Sequence, residues 1–196
     1  MTRRTLIVMA KQPCLGRVKT RLAAGLGTVA ATAFYRRTLA RTLRVLGRDP
    51  RWRLVVAVSP DDWSPRGVVT MGQGRGDLGA RMRRCLNACM PGEAVLIGGD
   101  IPDVTPAHVA RAFVVARRCG AVLGPARDGG YWLIGACRPL PLLAPVRWSS
   151  PEALADTARL LPGVGLADTL ADVDTVEDFM RLRTERRFRG PQPPER

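Results

Sequence analysis

Short apolar runs alternate with stretches of helical periodicity along this chain of 196 residues. The runs at 5–10, 52–59 and 94–99 predict buried strands, because they are rich in Val, Leu and Ile and are flanked by polar residues. Apolar residues recur with a helical period in 28–47 and in 104–118, which predicts amphipathic helices. Strands and helices are therefore expected to alternate.

Weaker patterns continue this alternation. The alternation of strands and helices indicates an α/β fold whose mainly parallel sheet is covered by helices on both faces. In such a sheet, ligands bind beyond the carboxyl ends of the strands. The further predicted elements are a strand at 67–71, a helix from Asp77 to about Met90, strands at 121–125 and 131–136, a helix after 149–153, a strand near 164–167 and a helix from about Thr175.

The length fits one domain, which we expect to span 1–188 and to be followed by a disordered, proline-rich tail at 189–196. No apolar run reaches the roughly 18 residues of a membrane span. The run at 6–10 is too short for a signal peptide and is interpreted as a strand. Five cysteines without a CxxC pair predict neither a disulfide framework nor a zinc site, and favour a cytoplasmic location.

The formal charge of +14 raises the hypothesis of nucleic-acid binding. The arginines are scattered along predicted helices without interleaved aromatic residues, so we expect no nucleic-acid partner. The single histidine, His108, is interpreted as a surface residue near the start of a helix that Thr105 caps. The oligomeric state is not indicated by the sequence.

Both lysines of the chain, Lys11 and Lys19, lie in the loop after the first predicted strand, although arginine supplies all the other formal positive charge. The loop also contains Gly16, Arg17 and Arg21. Flexible backbone and several cations suit a di- or triphosphate, although a solvated basic loop is the alternative. The spacing does not match a Walker A loop.

Carboxylates follow later elements. Asp100 ends a buried strand and is the candidate ligand for Mg²⁺, which takes one or two carboxylates together with phosphate oxygens and water. Asp103 is a candidate for either a helix cap or the metal. Asp174 precedes Thr175 and is either an ordinary helix cap or a second metal ligand beside Asp100.

Two glycine-containing segments have structural alternatives. Residues 74–79 match the pattern GxGxxG, but a glycine-rich turn before a helix is favoured over a dinucleotide fingerprint. Asp128 and Gly129 lie between two apolar runs, which predicts a hairpin. Tyr131 and Trp132 would then point to opposite faces, where one of them could line a pocket.

Five segments, taken in order, resemble a known family. KQPCLGRVKTRL, DLGARM, GGDIP, GPARDGGYWLIG and DVDTVEDF resemble the bacterial family DUF2064, which is similar to GT-A-type glycosyltransferases and to molybdenum-cofactor and phospholactate guanylyltransferases. The resemblance covers about residues 5–183. It implies a three-layer α/β/α sandwich of the nucleotide-diphospho-sugar transferase type, with a mostly parallel mixed sheet.

The resemblance also implies roles for individual residues. Lys19 and Asp100 would be catalytic, and Asp100 and Asp174 would bind Mg²⁺ or Mn²⁺. The nucleotide would be bound by Lys11, Gly16, Lys19, Arg21, Asp77, Leu78 and Gly79, and the acceptor by Asp128, Gly129, Gly130 and Tyr131.

The expected function is a Mg²⁺-dependent glycosyltransferase that moves a sugar from a nucleotide-sugar to a small-molecule acceptor. Nucleotidyl transfer from an NTP to a small phosphorylated acceptor is the alternative, because the guanylyltransferases share KTRL and because Asp100 is not part of an Asp-x-Asp motif. A non-catalytic nucleotide-binding module and a dinucleotide oxidoreductase are the third and fourth hypotheses.

Overall fold

The computed structural model describes residues 4–189. Within this range the chain forms one seven-stranded sheet and six helices. The strands are β1 (Arg4–Lys11), β2 (Arg53–Ser59), β3 (Thr70–Gly72), β4 (Glu93–Gly98), β5 (Ala121–Pro125), β6 (Tyr131–Ala136) and β7 (Gly165–Leu166). The helices are α1 (Thr20–Leu26), α2 (Thr28–Gly47), α3 (Leu78–Asn87), α4 (Pro106–Cys119), α5 (Ala153–Leu160) and α6 (Val176–Arg189).

The strand order is β3-β2-β1-β4-β6-β5-β7. Every strand pair is parallel except the two that involve β6, which runs antiparallel to β4 and to β5. The predicted α/β fold with a mainly parallel sheet is therefore confirmed, and the predicted hairpin connects β5 to β6.

Alternate residues of β1 face two separate hydrophobic layers. Leu6 packs into a cluster with Leu39 of α2 and Phe113 of α4, whereas Ile7 packs into a second cluster with Leu86 of α3. Side chains of a strand point alternately to its two faces, so the sheet is covered on both sides. The hydrophobic runs of β1, β2 and β4 follow from this double burial.

A third, smaller cluster connects α1 and α2 to the segment that leads into α6 and to α6 itself. Leu22 of α1 and Phe34 of α2 pack against Val173 and Leu182. The rings of Phe34 and Phe179 meet edge to face, with their centroids 5.5 Å apart. This packing holds the segment before α6 against the loop that follows β1.

The crevice for a ligand is set by the strand order. From β1 the chain continues to β2 and β3 on one side, and it then returns to β4 on the other side of β1. The carboxyl ends of β1 and β4 therefore flank a topological switch point, where open α/β sheets bind their ligands.

Several local predictions need correction. Helix α1 was not predicted, because its Leu22 and Leu26 give only one and a half turns of apolar pattern. Thr105 caps α4 as predicted, but His108 is half-buried rather than a plain surface residue: its side chain completes the capping box and its ring lies edge-on to Trp132. Of the tail predicted at 189–196, Arg189 ends α6 and the rest lies outside the described residues.

The helix-cap alternatives for two carboxylates are also wrong. Thr175 caps α6 together with Asp178, whose carboxylate accepts the Thr175 N–H at 3.0 Å. The side chain of Asp174 points elsewhere, as described below. Asp103 caps no helix in the described range; its carboxylate pairs with Arg186 at 3.1 Å. Between residues 4 and 189, no helix has the length and apolar character needed to cross a membrane.

Candidate active site

A cavity of about 640 Å³ lies at the carboxyl ends of β1 and β4 and extends over the face covered by α3. Its volume lies in the usual range for small-molecule sites. Its walls include residues from many separate parts of the sequence, between Met9 and Asp174. The predicted site residues among them are Lys11, Lys19, Arg21, Leu78, Asp100, Tyr131 and Asp174.

Lys19 lies at the centre of the charged part of the cavity. Its Nζ is 2.6 Å from Oδ2 of Asp100 and 2.6 Å from Oδ1 of Asp174. The Lys19 side chain is only 4% exposed, while the two carboxylates are partly open to solvent. One buried ammonium therefore joins the two carboxylates that the sequence indicates as metal ligands.

The backbone at Lys19 is unusual. Its φ of 49° and ψ of 45° are left-handed, and the residue stands at the N-cap position of α1. An L-residue other than glycine rarely adopts this conformation, which costs free energy unless the surroundings compensate. The two short ion pairs of the side chain provide that compensation.

The charges around Lys19 determine its protonation. Burial by itself would lower the pKa of the ammonium, but attraction by Asp100 and Asp174 outweighs burial, and the pKa of Lys19 is raised above its ordinary value. Lys19 is therefore a cation at any physiological pH.

Two further residues of the loop surround this centre. The guanidinium of Arg21 pairs with the second oxygen of Asp174 and is largely exposed. Lys11 ends β1, and its backbone N–H donates to the hydroxyl of Tyr35 at 2.9 Å while its carbonyl accepts from the same hydroxyl at 3.1 Å. Burial raises the pKa of Tyr35 to about 12, so the hydroxyl keeps its proton for the second bond. Tyr35 thus fixes the backbone where the cationic loop begins.

The carboxylate pair fits a divalent cation. Two carboxylate oxygens that each lie 2.6 Å from the same ammonium are hard ligands close to each other, and Mg²⁺ completes its shell with water and phosphate oxygens. Residues 4–189 contain no group of three or more His, Cys, Asp or Glu side chains arranged to hold a metal. A site here would consist of two carboxylates, which suits an ion that arrives with a phosphate ligand.

Asp172 is a third acid near this centre that the sequence did not single out. Burial raises its pKa to about 6, and the negative charge of Asp174 contributes further. Its neighbour in the sequence, Val173, is buried in the third cluster, and a strand-like alternation across 172–174 would have indicated that both acids share one side.

The glycine-rich segment before α3 forms one wall of the cavity. Gly76 and Leu78 line it, whereas Asp77 caps α3 by accepting the N–H of Ala80 at 2.8 Å. Gly79 is buried beneath the 143–148 segment: a Cβ at this position would lie 2.5 Å from the ring of Trp148. Asp77 and Gly79 thus support the cavity wall: Asp77 caps α3, and Gly79 leaves room for the 143–148 segment.

Gly16 and the turn residues Asp128, Gly129 and Gly130 lie outside the cavity lining. Gly16 has a φ of 72° in the exposed first loop. Asp128 accepts the N–H of Gly130 at 2.9 Å within its own turn, and Gly129 is pressed against the backbone of Pro151. Tyr131 is the hairpin residue that lines the cavity. Trp132 lines it as well, and the two rings lie in opposite hydrophobic layers, as predicted.

Three polar residues of the wall were missed by the sequence reasoning. Gln73 is buried and donates to the carbonyl oxygens of Ala57 at 2.8 Å and Ala10 at 3.3 Å. Arg81 and Ser149 also line the cavity. Arg81 belongs to the quoted segment DLGARM and follows Asp77 by one helical turn, so its position was a usable signal. Ser149 has no pattern that marks it.

The family model of an uncharacterized protein conserved in bacteria, DUF2064, matches residues 29–150, which is more than half of the chain. The chain belongs to this family. A search of curated proteins gave no significant match to this DUF2064 protein.

Solved structures resemble this DUF2064 protein over nearly its whole length. A Desulfovibrio desulfuricans G20 protein, provisionally named a nucleotide-diphospho-sugar transferase, is 29% identical with a TM-score of 0.85, and the match covers 95% of this chain and 89% of that chain. The 2-C-methyl-D-erythritol 4-phosphate cytidylyltransferase of Thermus thermophilus is 21% identical with a TM-score of 0.54, over 95% and 100% of the two chains. Rv0371c of Mycobacterium tuberculosis H37Rv, in complex with manganese, is 18% identical with a TM-score of 0.50, over 93% and 98%.

These matches confirm the three-layer fold of the nucleotide-diphospho-sugar transferase type for this DUF2064 protein. The Desulfovibrio and Thermus proteins are named as transferases, the first of a nucleotide-diphospho-sugar and the second of a cytidylyl group. The two distant matches establish the fold alone. Transferase activity is therefore the class that the comparisons indicate, without a donor, an acceptor or a type of transfer.

Proposed function

We propose that this DUF2064 protein is a divalent-metal-dependent glycosyltransferase that moves a sugar from a nucleotide-sugar to a small-molecule acceptor. The observation that carries the proposal is the position of Lys19 between Asp100 and Asp174 at the switch-point cavity. Cations and carboxylates on neighbouring loops are the groups that a nucleoside diphosphate and its metal ion require.

The cationic wall supports a diphosphate ligand. Lys11, Lys19, Arg21 and Arg81 all line the cavity. Arginine binds phosphate oxygens through two parallel hydrogen bonds, whereas lysine acts as a compact charge that can follow a phosphate as it moves. The retention of lysine at two positions of this wall is consistent with such a role.

Asp100 and Asp174 would hold the Mg²⁺ or Mn²⁺ ion, which would neutralise the phosphate charge that develops when the sugar leaves. In the transfer, the bond between the anomeric carbon and the β-phosphate oxygen breaks, and a bond to an acceptor oxygen forms. The acceptor oxygen loses its proton to water, and a nucleoside diphosphate is released. Lys19 and Arg21 would orient the leaving phosphate, and Tyr35 would fix the backbone of Lys11.

The Desulfovibrio protein supports a sugar as the transferred group, because it is 29% identical to this chain and carries the name of a nucleotide-diphospho-sugar transferase. The acceptor would enter from the side of Tyr131. The Asp128 turn lies outside the cavity wall and would shape that entrance.

Nucleotidyl transfer is the second candidate, and the first loop favours it. Lys19 and Arg21 place two cations within reach of a single carboxylate, Asp174. Such a concentration of charge also suits attack on an α-phosphate with release of pyrophosphate. The same side chains would then act on an NTP and a small phosphorylated acceptor.

We also propose that residues 1–188 act as a single domain in a reducing compartment such as the cytoplasm. The five cysteines, all within the described range, are unpaired, which supports this location.

Product analysis tests the function. The purified chain would be incubated with Mg²⁺ or Mn²⁺, pooled nucleotide-sugars, pooled NTPs and a cell extract that supplies acceptors, and products would be identified by mass spectrometry. A released nucleoside diphosphate with a glycosylated acceptor supports the first candidate. Pyrophosphate with a nucleotidylated acceptor supports the second. Nucleotide binding without turnover in any pool would indicate a non-catalytic binding module and contradict both.

A further inference from the structure

The ammonium of Lys19 occupies the place between the two proposed metal ligands. Its Nζ is at the same distance, 2.6 Å, from an oxygen of Asp100 and from an oxygen of Asp174. The Lys19 side chain is almost fully buried, so its ammonium depends on these two carboxylates as charge partners. The two acids are thus already neutralised in part, by a cation that belongs to the chain.

We infer that Lys19 is the internal counter-cation of the nucleotide-free site: it keeps Asp100 and Asp174 together before metal binds, and it competes with the metal for them. This inference rests on the proposed function, in which the same two carboxylates hold a divalent ion. It adds to that function a displacement of Lys19 by the metal, because one pair of carboxylates cannot bind both the ammonium and the metal ion in full.

The competition couples the metal to the phosphate. A lysine that gives up both carboxylates inside the cavity would be a buried, unpaired charge, which is costly. A phosphate oxygen near Lys11 and Arg21 offers the ammonium a new partner, and both of these residues line the same cavity. The metal alone therefore binds weakly, and metal and nucleotide phosphate bind with positive cooperativity.

The choice of lysine over arginine fits this role. All but two of the 31 basic residues in the chain are arginine, so lysine at position 19 is an exception. An ammonium on a flexible stem can move from a carboxylate to a phosphate, whereas a planar guanidinium would pair with a carboxylate in a fixed geometry. The left-handed backbone of Lys19 aims the stem at the acids from the first residue before α1.

The test is a calorimetric titration of the full chain with Mn²⁺ in the absence of nucleotide. Lys19→Met removes the charge and keeps an apolar stem, so the two acids lose the cation that they share while Arg21 still pairs with Asp174. Mn²⁺ affinity should then rise by about 10-fold or more, within the range of typical coupling. Lys11→Met removes one positive charge from the same loop without touching the acids and is the matched control, with an affinity close to wild type. Lys19→Arg keeps the charge and should also stay close to wild type.

Asp100→Asn added to Lys19→Met should abolish the gain, because the second carboxylate is then missing. An affinity of Lys19→Met that is no higher than that of Lys11→Met would overturn the inference. So would an equal gain in Lys19→Arg, since that variant keeps the positive charge.

Thermal unfolding covers the case in which Lys19→Met folds poorly. Without Lys19 the two acids lose their shared cation, and only Asp174 keeps a partner, Arg21, so the variant is destabilised. Mn²⁺ should restore it and raise its melting temperature more than that of wild type. A variant that Mn²⁺ fails to rescue contradicts the exchange of one cation for the other.

These readouts are separate from turnover. Tighter Mn²⁺ binding by Lys19→Met, together with no transfer product from the wild-type protein in any pool, would support the counter-cation and contradict the proposed transferase. Transfer products from the wild-type protein, together with an unchanged Mn²⁺ affinity in Lys19→Met, would support the transferase and contradict the counter-cation.

Discussion

Lys19 and Asp174 are 155 residues apart in the chain, yet Nζ of the lysine lies 2.6 Å from Oδ1 of the aspartate. The contact joins the loop after β1 to the residues just before α6. Val173, next to Asp174, is buried with Leu22 of α1, so hydrophobic packing brings the two charges together. The last helix therefore completes the site that the first loop begins.

Asp100→Asn should reduce turnover by about 10²- to 10³-fold, the loss typical of removing one electrostatic contact at a reacting centre. The amide keeps the shape of the side chain but loses the negative charge that pairs with Lys19 and that would hold the metal. Steady-state kinetics on the product identified above measures the effect. Asp103→Asn is the matched control, because Asp103 pairs with Arg186 on the surface and should leave turnover near wild type. Equal losses in the two variants would contradict the proposed role of Asp100.

Tyr35→Phe removes the hydroxyl that both accepts from and donates to the backbone of Lys11. Loss of these bonds should lower the free energy of unfolding by about 1–3 kcal/mol. Nucleotide affinity should fall as well, since Lys11 starts the cationic loop. Urea unfolding and nucleotide titration measure the two effects. Tyr131→Phe is the control for stability: its hydroxyl makes a 3.4 Å contact to Thr157, so a smaller loss is expected. A Tyr35→Phe protein with wild-type stability and affinity would argue against a positioning role.

Gly79→Ala tests the packing beneath the cavity wall. The added Cβ would lie 2.5 Å from the ring of Trp148 and 2.8 Å from the carbonyl oxygen of Leu143. Overpacking of this kind should destabilise the fold by about 1–3 kcal/mol. Gly47→Ala, at the end of α2, is the control. The nearest atom to its new Cβ is 3.8 Å away, so a neutral effect or a gain of up to about 1 kcal/mol is expected. Chemical denaturation measures the free energy of unfolding of both variants. Equal values would contradict the expected overpacking and show that the 143–148 segment can move away from the new Cβ.

Asp156 should account for part of the acid sensitivity of the fold. Hydrogen bonds from the Arg147 guanidinium, and from its backbone N–H, hold the pKa of Asp156 well below its usual range. The unfolded chain therefore takes up this proton first as the pH falls below about 4, and the contribution of Asp156 to stability is present above that pH and lost below it.

Asp156→Asn should thus lose stability less steeply than wild type between about pH 4 and pH 2, measured by urea unfolding at a series of pH values. Arg147→Gln removes the largest cause of the lowered pKa, while Arg159 still pairs with Asp156 at 2.8 Å, and should partly flatten the same part of the profile. Profiles parallel to wild type in both variants would contradict the assignment. Ser149 lines the cavity two residues after Arg147. Nucleotide affinity of the same variants therefore tests whether the Arg147–Asp156 ion pair holds this part of the cavity wall in position.

The elements of the fold were largely predictable because each one carries its own local signal. The hydrophobic runs of β1, β2 and β4 and the helical period of α2 and α4 depend on residues that are close in sequence. The cap at Thr105 and the hairpin at Asp128 also follow from short patterns. Helix α1 escaped because seven residues leave too little periodicity to separate it from a loop.

The site was only partly predictable. Lys19 and Asp100 could be selected because each follows a predicted strand and because lysine is rare in this chain. The choice for Asp174 between helix cap and site residue could not be made locally, since Thr175 and Asp178 offer an equally good cap one position later. Tyr35 and Gln73 act through backbone atoms of distant strands, and such contacts leave no pattern in the sequence.

The sequence by itself determined the alternation of strands and helices and the family resemblance. It also determined that a cationic loop follows one strand, β1, and that an acid, Asp100, follows another, β4. Local periodicity and residue type are sufficient for these, because they act over a few neighbouring positions. Only the tertiary structure decided that Lys19 lies between Asp100 and Asp174, because that contact depends on the strand order and on the packing of α6 against α1 and α2. Burial then makes the arrangement important, since a charge removed from water must find its partner within the protein.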